Sequence, residues 1–414
     1  MARPPLSQPP AAPPVILVIG GGPFQLDIVR TARDLGATVA VADRDPNAPA
    51  FALAHHALVI DIVDHAALIA AARALSVSCT LSAASDIALP AVAAVAEALG
   101  LRALAPDVVA RCRDKRATFE VLDAAGLAVP PTVWVDDEHD ARAASEEVGG
   151  YPLVVKPRSA AGGRGVSVVR DPHGLAVAIE RARRYDKDGC LVQSFVGGHA
   201  VGAEAFFWDA RPIMLLVMDD QFDASFVSPV GHSLPSALPD EVQARVRADV
   251  VRFAEALGLT EGPANFDLRV DGDRTVLLEV NPRLGGNSIT DLARSAYGVD
   301  LSAATVRAAM GQDPSAELAL RDVTPTASRL MIARGGGIAE LDDPFGGITD
   351  RAGIVTVELA VQAAQAARLR VDDHAILGRC VVRGGDASEA VRRAERIASE
   401  VSARIRLVEE PADR

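Results

Sequence analysis

The chain has 414 residues, 49% hydrophobic and 23% charged, with aromatics at 4%, so its core volume must come from Ala, Val, Leu and Ile. That length suggests roughly two to four domain-sized units. A net charge of −13 argues against a binder of nucleic-acid backbone, which needs a basic surface, while leaving room for a local basic pocket. No apolar stretch is long enough to cross a bilayer, which speaks against a membrane partner. Residues 1–14 lack the apolar segment of a signal peptide and read as a flexible Pro-rich leader. The cysteines Cys79, Cys112, Cys190 and Cys380 form no CxxC pair. Neither a zinc site nor a disulfide framework is indicated, and a reducing cytoplasm is the simplest setting.

Residues 15–110 alternate strand and helix. Val15–Ile19 is an apolar run of the kind buried in parallel sheets; Gly20-Gly21-Gly22 follows, then a helix to about Leu35 stopped by Gly36. Strands are expected over Thr38–Ala42, Ala57–Ile60 and Cys79–Leu81, with helices over 65–74, capped by Asp64, and from about Ile87 to Leu99. This rhythm implies a doubly wound α/β sheet. Gly20, Gly22 and Asp43 imitate a dinucleotide fingerprint. Gln25 stands in place of the third glycine, however, and Pro23 sits in the turn. A tight turn at the carboxyl edge of the sheet is the plainer reading.

Residues 111–115 are expected to open one helix running to about Ala125, with extended chain from Val129. Lys115 would sit in its first turn, where the helix dipole prefers an acid; that is either a common surface lysine or a functional one. Tyr151–Pro157 is a strand ending in Lys156. The small-residue loop Ser159-Ala160-Ala161-Gly162-Gly163-Arg164-Gly165 and a strand at Ser167–Val169 follow. Such a loop lets backbone N–H groups approach phosphate oxygens, and Lys156 can supply a point charge to them. It is not a P-loop, since it joins strand to strand without Gly-Lys-Ser/Thr. Leu191–Gly198 is a strand entering a glycine bend, able to hold an adenine ring or simply to connect domains. Ala200–Trp208 and Pro212–Met218 form a hairpin with Glu204 as the one carboxylate of its first strand. Pro229–Pro235 reads as a loop carrying His232, solvated or touching substrate. A helix over 240–257 ends at Gly258.

Residues 261–287 carry the densest chemistry. Asn265–Val270 and Val276–Asn281 alternate polar and apolar residues, apart from the Leu277-Leu278 pair, around a turn at Asp271-Gly272. Residues two apart share a strand face, so the right register brings Asp267, Glu279 and Asn281 together. Two carboxylates and an amide oxygen suit Mg²⁺ when phosphates supply its remaining ligands. Arg283 is placed to meet negative charge beside them. The plain alternative is a solvated hairpin face. Helices are expected from about Ser288 to Tyr297 and from Leu301 to Met310. Strands over Val355–Val361 and Ala375–Val382 with a helix over Ala387–Val401 suggest a small α+β domain.

In order and spacing, Lys115, Lys156, the 159–165 loop, the Gln193–Val196 linker, Asp267, Glu279, Asn281 and Arg283 resemble the ATP-grasp superfamily over residues 15–400. Gly231-His232-Ser233-Leu234-Pro235 and Asn281-Pro282-Arg283-Leu284-Gly285-Gly286 look most like the carboxylate–amine ligases of the bacilysin-type L-amino acid ligase group. Residues 43–50 also resemble the ATP-grasp purine enzymes, including the formate-dependent glycinamide ribonucleotide transformylase. The resemblance implies an α/β and α+β multidomain chain: a doubly wound N-terminal domain over 15–110, an ATP-grasp core over 111–315 with a lid about 136–196, and a C-terminal α+β domain over 316–414.

The resemblance also assigns roles. Lys115 and Lys156 would contact ATP phosphates. Ser159, Gly162, Gly163 and Gly165 would lie in the closing loop, and Gln193 and Val196 would meet adenine through backbone groups. Asp267, Glu279 and Asn281 would hold Mg²⁺ or Mn²⁺, and Arg283 would stabilise the acyl phosphate. Gln193-Ser194 stands where relatives often carry Glu-Glu, so Glu204 or His199 is a substitute ribose contact, and His232 is a further catalytic candidate. The implied reaction joins small-molecule carboxylate and amine substrates through an acyl phosphate, releasing ADP and phosphate. A formate- or bicarbonate-using enzyme is the alternative. A cytoplasmic setting and a homodimer are compatible with this.

Overall fold

The structure, a computed structural model, describes residues 13–136, 138–160, 162–223, 227–333, 338–341, 345–359 and 376–408. Nearly all of the leader, Ala161 of the glycine loop, and Ala360, Val361 and Ala375 at the ends of two expected strands lie outside the described residues. The chain divides into two compact units, Met1–Pro106 with Ser302–Pro314 and Asp107–Leu301 with Ser315–Arg414.

The first unit contains β1 (Val15–Ile19), α1 (Leu26–Asp34), β2 (Thr38–Asp43), β3 (His56–Val59), α2 (His65–Ala74), β4 (Cys79–Leu81) and α3 (Leu89–Leu99). Its four strands are parallel in the order β3-β2-β1-β4. Leu17, Ile19, Ala40 and Ala42 pack with Leu68, Ala72, Ala91 and Val95 from the helices. The short apolar runs lie on a sheet covered on both faces, as a parallel sheet requires. Asp64 caps α2 by accepting the Ala67 N–H at 3.0 Å. Asp43 is not free for a ribose: its carboxylate accepts the N–H groups of Gly21 at 2.7 Å and Asp45 at 2.9 Å. A Cβ on Gly21 would lie 2.7 Å from that of Ala48. The fingerprint mimic is a loop closed on itself.

Helix α4 (Pro106–Arg113) opens the second unit, whose described residues form three antiparallel sheets. Chain order continues with α5 (Lys115–Ala124), β5 (Thr132–Val135), α6 (Glu138–Glu147), β6 (Leu153–Lys156), β7 (Ser167–Val169), α7 (Leu175–Arg183) and β8 (Cys190–Ser194). Strands β5-β8-β6-β7 make one sheet, packed on α6 and α7 through Ala141, Ala144, Ala178 and Ala182. Next come β9 (His199–Trp208), β10 (Arg211–Gln221), β11 (Gly231–Leu234), α8 (Asp240–Leu257), β12 (Gly262–Asp271), β13 (Arg274–Asn281), α9 (Ile289–Tyr297) and α10 (Leu301–Ala309). The chain ends with β14 (Thr326–Ile332), β15 (Ile338–Leu341), β16 (Ile354–Leu359), β17 (Ile376–Arg383), α11 (Ala387–Ala403) and β18 (Ile405–Val408). The large sheet runs β13-β12-β9-β10-β11-β14-β17-β16, so three of the last strands extend it, while β15 and β18 pair separately. Helix α11, capped by Asp386, buries Ala390, Ala394, Ile397 and Val401 at helical spacing.

Two sequence expectations change. The helix expected from residue 111 is two helices, because Asp114 leaves helical geometry and caps α5 by accepting the N–H groups of Arg116 at 3.0 Å and Ala117 at 3.2 Å. The segment expected as a loop around His232 is strand β11, paired with β10 on one side and β14 on the other.

Candidate active site

The site grows from the β12–β13 hairpin. In its register Asp267 faces Glu279 and Asn265 faces Asn281. Strand β9 continues both rows, with Gly202 beside Asp267 and Glu204 beside Asn265. The Leu277-Leu278 break in alternation is a β-bulge: Leu277 pairs with Leu268 and Glu279 with Asp267, leaving Leu278 over. The bulge frees the Leu278 carbonyl, which accepts Lys156 Nζ at 3.3 Å.

Both lysines converge here. Lys115 begins α5, immediately after the Asp114 cap, and its Nζ lies 3.4 Å from Glu279 Oε1 while donating to the Ala160 carbonyl at 2.9 Å. Lys156 is 6% exposed and sits 4.7 Å from the Phe119 ring centroid. Burial, then the Lys115 charge, bring its ammonium down to about 7, against the pull of Glu279 and Asp267. Asp267 moves the other way. Burial, then the charges of Glu279 and Asp220, push its carboxyl up to about 7.

The glycine loop is held at its base. The Arg158 carbonyl accepts the Lys115 N–H at 3.0 Å. The Arg158 guanidinium lies between Asp186 at 3.4 Å and Asp188 at 3.6 Å, over the Trp134 ring at 5.5 Å. Beyond it Ser159 and Gly162 are exposed. Gly163 and Gly165 have φ of +70° and +76°, and a Cβ would lie 2.5 Å from Ser228 Oγ at the first and 2.8 Å from Tyr185 at the second. Only glycine meets both demands. Gln193 is buried in β8, where its side chain donates to Thr132 Oγ1 at 2.7 Å, and Val196 is half-buried just beyond the strand.

Glu204 is completely buried. Its carboxylate accepts the Gly285 N–H and the Asn265 amide, each at 3.1 Å. Burial raises it to about 7, against the lowering effect of those two bonds. Its oxygens are thus engaged in holding the 283–286 loop to the sheet. Arg283, half-buried, donates to the Leu284 carbonyl at 2.9 Å, and its charge reaches both Glu204 and Asp267. His232 is 4% exposed and pairs through Nδ1 with Asp220 at 2.7 Å. Asp220 lies just past the expected strand end at Met218, whereas β10 runs on to Gln221. Only the β10–β11 register reveals it.

Among the described residues no three His, Cys, Asp or Glu side chains group as a metal cage. The chemistry of the donor set nevertheless fits Mg²⁺. Asp267 and Glu279 face each other as like charges, Asn281 adds a neutral oxygen one row along, and a site with few protein ligands suits an ion that shares phosphates.

The description "Carbamoyl-phosphate synthase L chain, ATP binding domain" matches residues 114–316, a span that contains every one of these side chains. A formate-dependent phosphoribosylglycinamide formyltransferase of Burkholderia pseudomallei is 30% identical over 410 residues, covering 93% of this chain and 94% of that protein. The crystal structure of an L-amino acid ligase from Bacillus licheniformis superposes with a TM-score of 0.80 at 21% identity, over 96% of this chain and 99% of that one. An N5-carboxyaminoimidazole synthetase from Staphylococcus aureus complexed with ADP shares the fold at a TM-score of 0.72 and 15% identity, over 93% and 97% of the chains. The chain belongs to the ATP-grasp family, whose members use ATP with Mg²⁺, and is an enzyme that forms carbon–nitrogen bonds.

Proposed function

We propose that the protein joins a small carboxylate to an amine through an acyl phosphate, releasing ADP and phosphate. The observation that carries this reading is the acid–lysine cluster: Glu279 opposite Asp267 and 3.4 Å from Lys115, with Lys156 bonded to the bulge carbonyl of Leu278, next to Glu279 in β13. Lys115 and Lys156 receive the ATP phosphates. Asp267, Glu279 and Asn281 would hold Mg²⁺, which offsets phosphate charge when bound. The 159–165 loop, in a lid about 136–196, closes over the phosphates and excludes water, which otherwise hydrolyses an acyl phosphate. Backbone groups of Gln193 and Val196 receive adenine, and Arg283 meets the acyl phosphate. Positioning supplies most of the acceleration, and no protein nucleophile is required. The absence of any helix long and apolar enough to cross a membrane among the described residues accords with the cytoplasmic setting we propose.

A second reading is favoured by the formyltransferase relative covering 93% of the chain. Formate is the smallest carboxylate, so formyl transfer to an amine is the same chemistry on a different acid. A phosphate-release screen with ATP, Mg²⁺ and pairs of amino acids, run beside labelled formate, tests both. Dipeptide selects the first reading and labelled formamide the second; phosphate release that needs no carboxylate contradicts both.

A further inference from the structure

Asp220 and His232 are register partners on β10 and β11, with side chains 3% and 5% exposed. Asp220 Oδ1 accepts His232 Nδ1 at 2.7 Å. His232 Nε2 is buried without a hydrogen-bond partner, and a buried polar atom left so requires a reason. The dyad borders the acid face. Gly202 is the register partner of Asp267, and a Cβ on it would lie 2.8 Å from Asp220 Oδ1. Once protonated, His232 is near enough to act electrostatically on both Asp267 and Glu204. The missing side chain at Gly202, beside Asp267, leaves room for the Asp220 carboxylate.

Building on the ligase reading above, we propose that Asp220 is a positioning residue that holds His232 with its Nε2 lone pair free, and that Nε2 takes the proton of the attacking amine. In that step the amine lone pair forms the C–N bond. The bond between the acyl carbon and the phosphate oxygen breaks, and phosphate departs with that electron pair. The surplus N–H proton passes to Nε2, and thence to phosphate or water. Asp220 fixes the tautomer that makes this transfer available, since a donor on Nδ1 would place the proton on Nε2 instead.

Hydroxylamine separates this role from a structural one, because it sheds the same N–H proton but, as a less basic and stronger α-nucleophile, depends far less on a base to attack. The probes are formate and the L-amino acids as carboxylates, with hydroxylamine or an L-amino acid as acceptor. Asp220→Asn should lower amide formation about 100-fold, the scale of general base catalysis, while hydroxamate formation and the KM for ATP stay within about threefold of wild type. His232→Gln should show the same split, and it carries the test if calorimetry finds that Asp220→Asn no longer binds ATP. Hydroxamate and amide falling together, or neither falling, overturns the proposal. Wild-type protein that turns over ATP yet yields neither product overturns the ligase reading itself, an outcome visible before any variant is made.

Discussion

Asp267 and Glu279 stand directly opposite each other on adjacent strands, and one of the two is also within 3.4 Å of a lysine. Like charges in direct cross-strand register destabilise a sheet. Under the proposed metal assignment, a bound cation would reverse the sign of the interaction. Asp267→Asn should therefore leave the ligand-free protein as stable as wild type or slightly more so. It should abolish the added stability that Mg²⁺ with ATP confers. Saturating ligand at about 100 times its Kd adds about 2.7 kcal/mol, so thermal melts with and without Mg-ATP check this. A variant that still gains the full increment contradicts the metal assignment.

Proton linkage gives a second test. Lys156 titrates near 7 because it is buried beside Lys115, so it is mostly neutral at about pH 8. Phosphate oxygens favour its charged form. ATP binding at that pH should take up protons, and the uptake should vanish in Lys156→Met. Asp267 is also raised to about 7, so at about pH 6 a bound divalent cation should displace its proton. Mg-ATP should then release protons at low pH and absorb them at high pH. Titration calorimetry in buffers of different ionisation enthalpy reads the sign directly.

Much of this site was legible from sequence, for a physical reason. Residues 265–281 pair with near neighbours across a two-residue turn, so the hairpin was legible, while the register that sets Asp267 against Glu279 depends on the turn at Gly272-Asp273 and the bulge at Leu278. Even the Leu277-Leu278 exception marked the bulge. Lys156 stood out as a charge ending an apolar run. His232 was misread because β11 has four residues and owes its strand geometry to partners in β10 and β14, the latter almost a hundred residues away. The burial of Glu204 was not legible, because one of its partners, the Gly285 N–H, is 81 residues away. The break at Asp114 was available in the sequence: an Asp before a helical run is a cap signal, obscured by the helical residues on both sides.

Glu204 should leave its mark on stability against pH. Its folded value near 7 lies above the ordinary glutamate value of 4.5. Between those values the folded state holds a proton that the unfolded chain has given up, so stability falls as pH rises through the window. Below it both states are protonated and the penalty is absent; above it the penalty is complete, on the order of 3 kcal/mol for this fully buried group. Glu204→Gln should flatten that part of the curve, measured by urea unfolding between about pH 4.5 and 7.5. An unchanged slope would assign the effect elsewhere.

Gly285 faces the same carboxylate. A Cβ there would lie 2.8 Å from Glu204 Oε2, 3.0 Å from Asn265 Nδ2 and 2.6 Å from Ile289 Cδ1. Gly285→Ala should cost about 1–3 kcal/mol, as overpacking does, and should displace the loop that carries Arg283. Activity should fall more than ATP affinity, because Arg283 is assigned to the acyl phosphate and not to the nucleotide. Equal losses in both would place Arg283 at the nucleotide.

In the proposed reaction the carboxylate oxygen attacks the γ-phosphate. Turnover with an ¹⁸O-labelled carboxylate substrate, taken from the phosphate-release screen, followed by mass spectrometry of the released phosphate, tests it most directly. Formation and breakdown of an acyl phosphate must carry one labelled oxygen into each phosphate, with ADP and not AMP as the nucleotide product. Unlabelled phosphate accompanying amide formation would contradict the account.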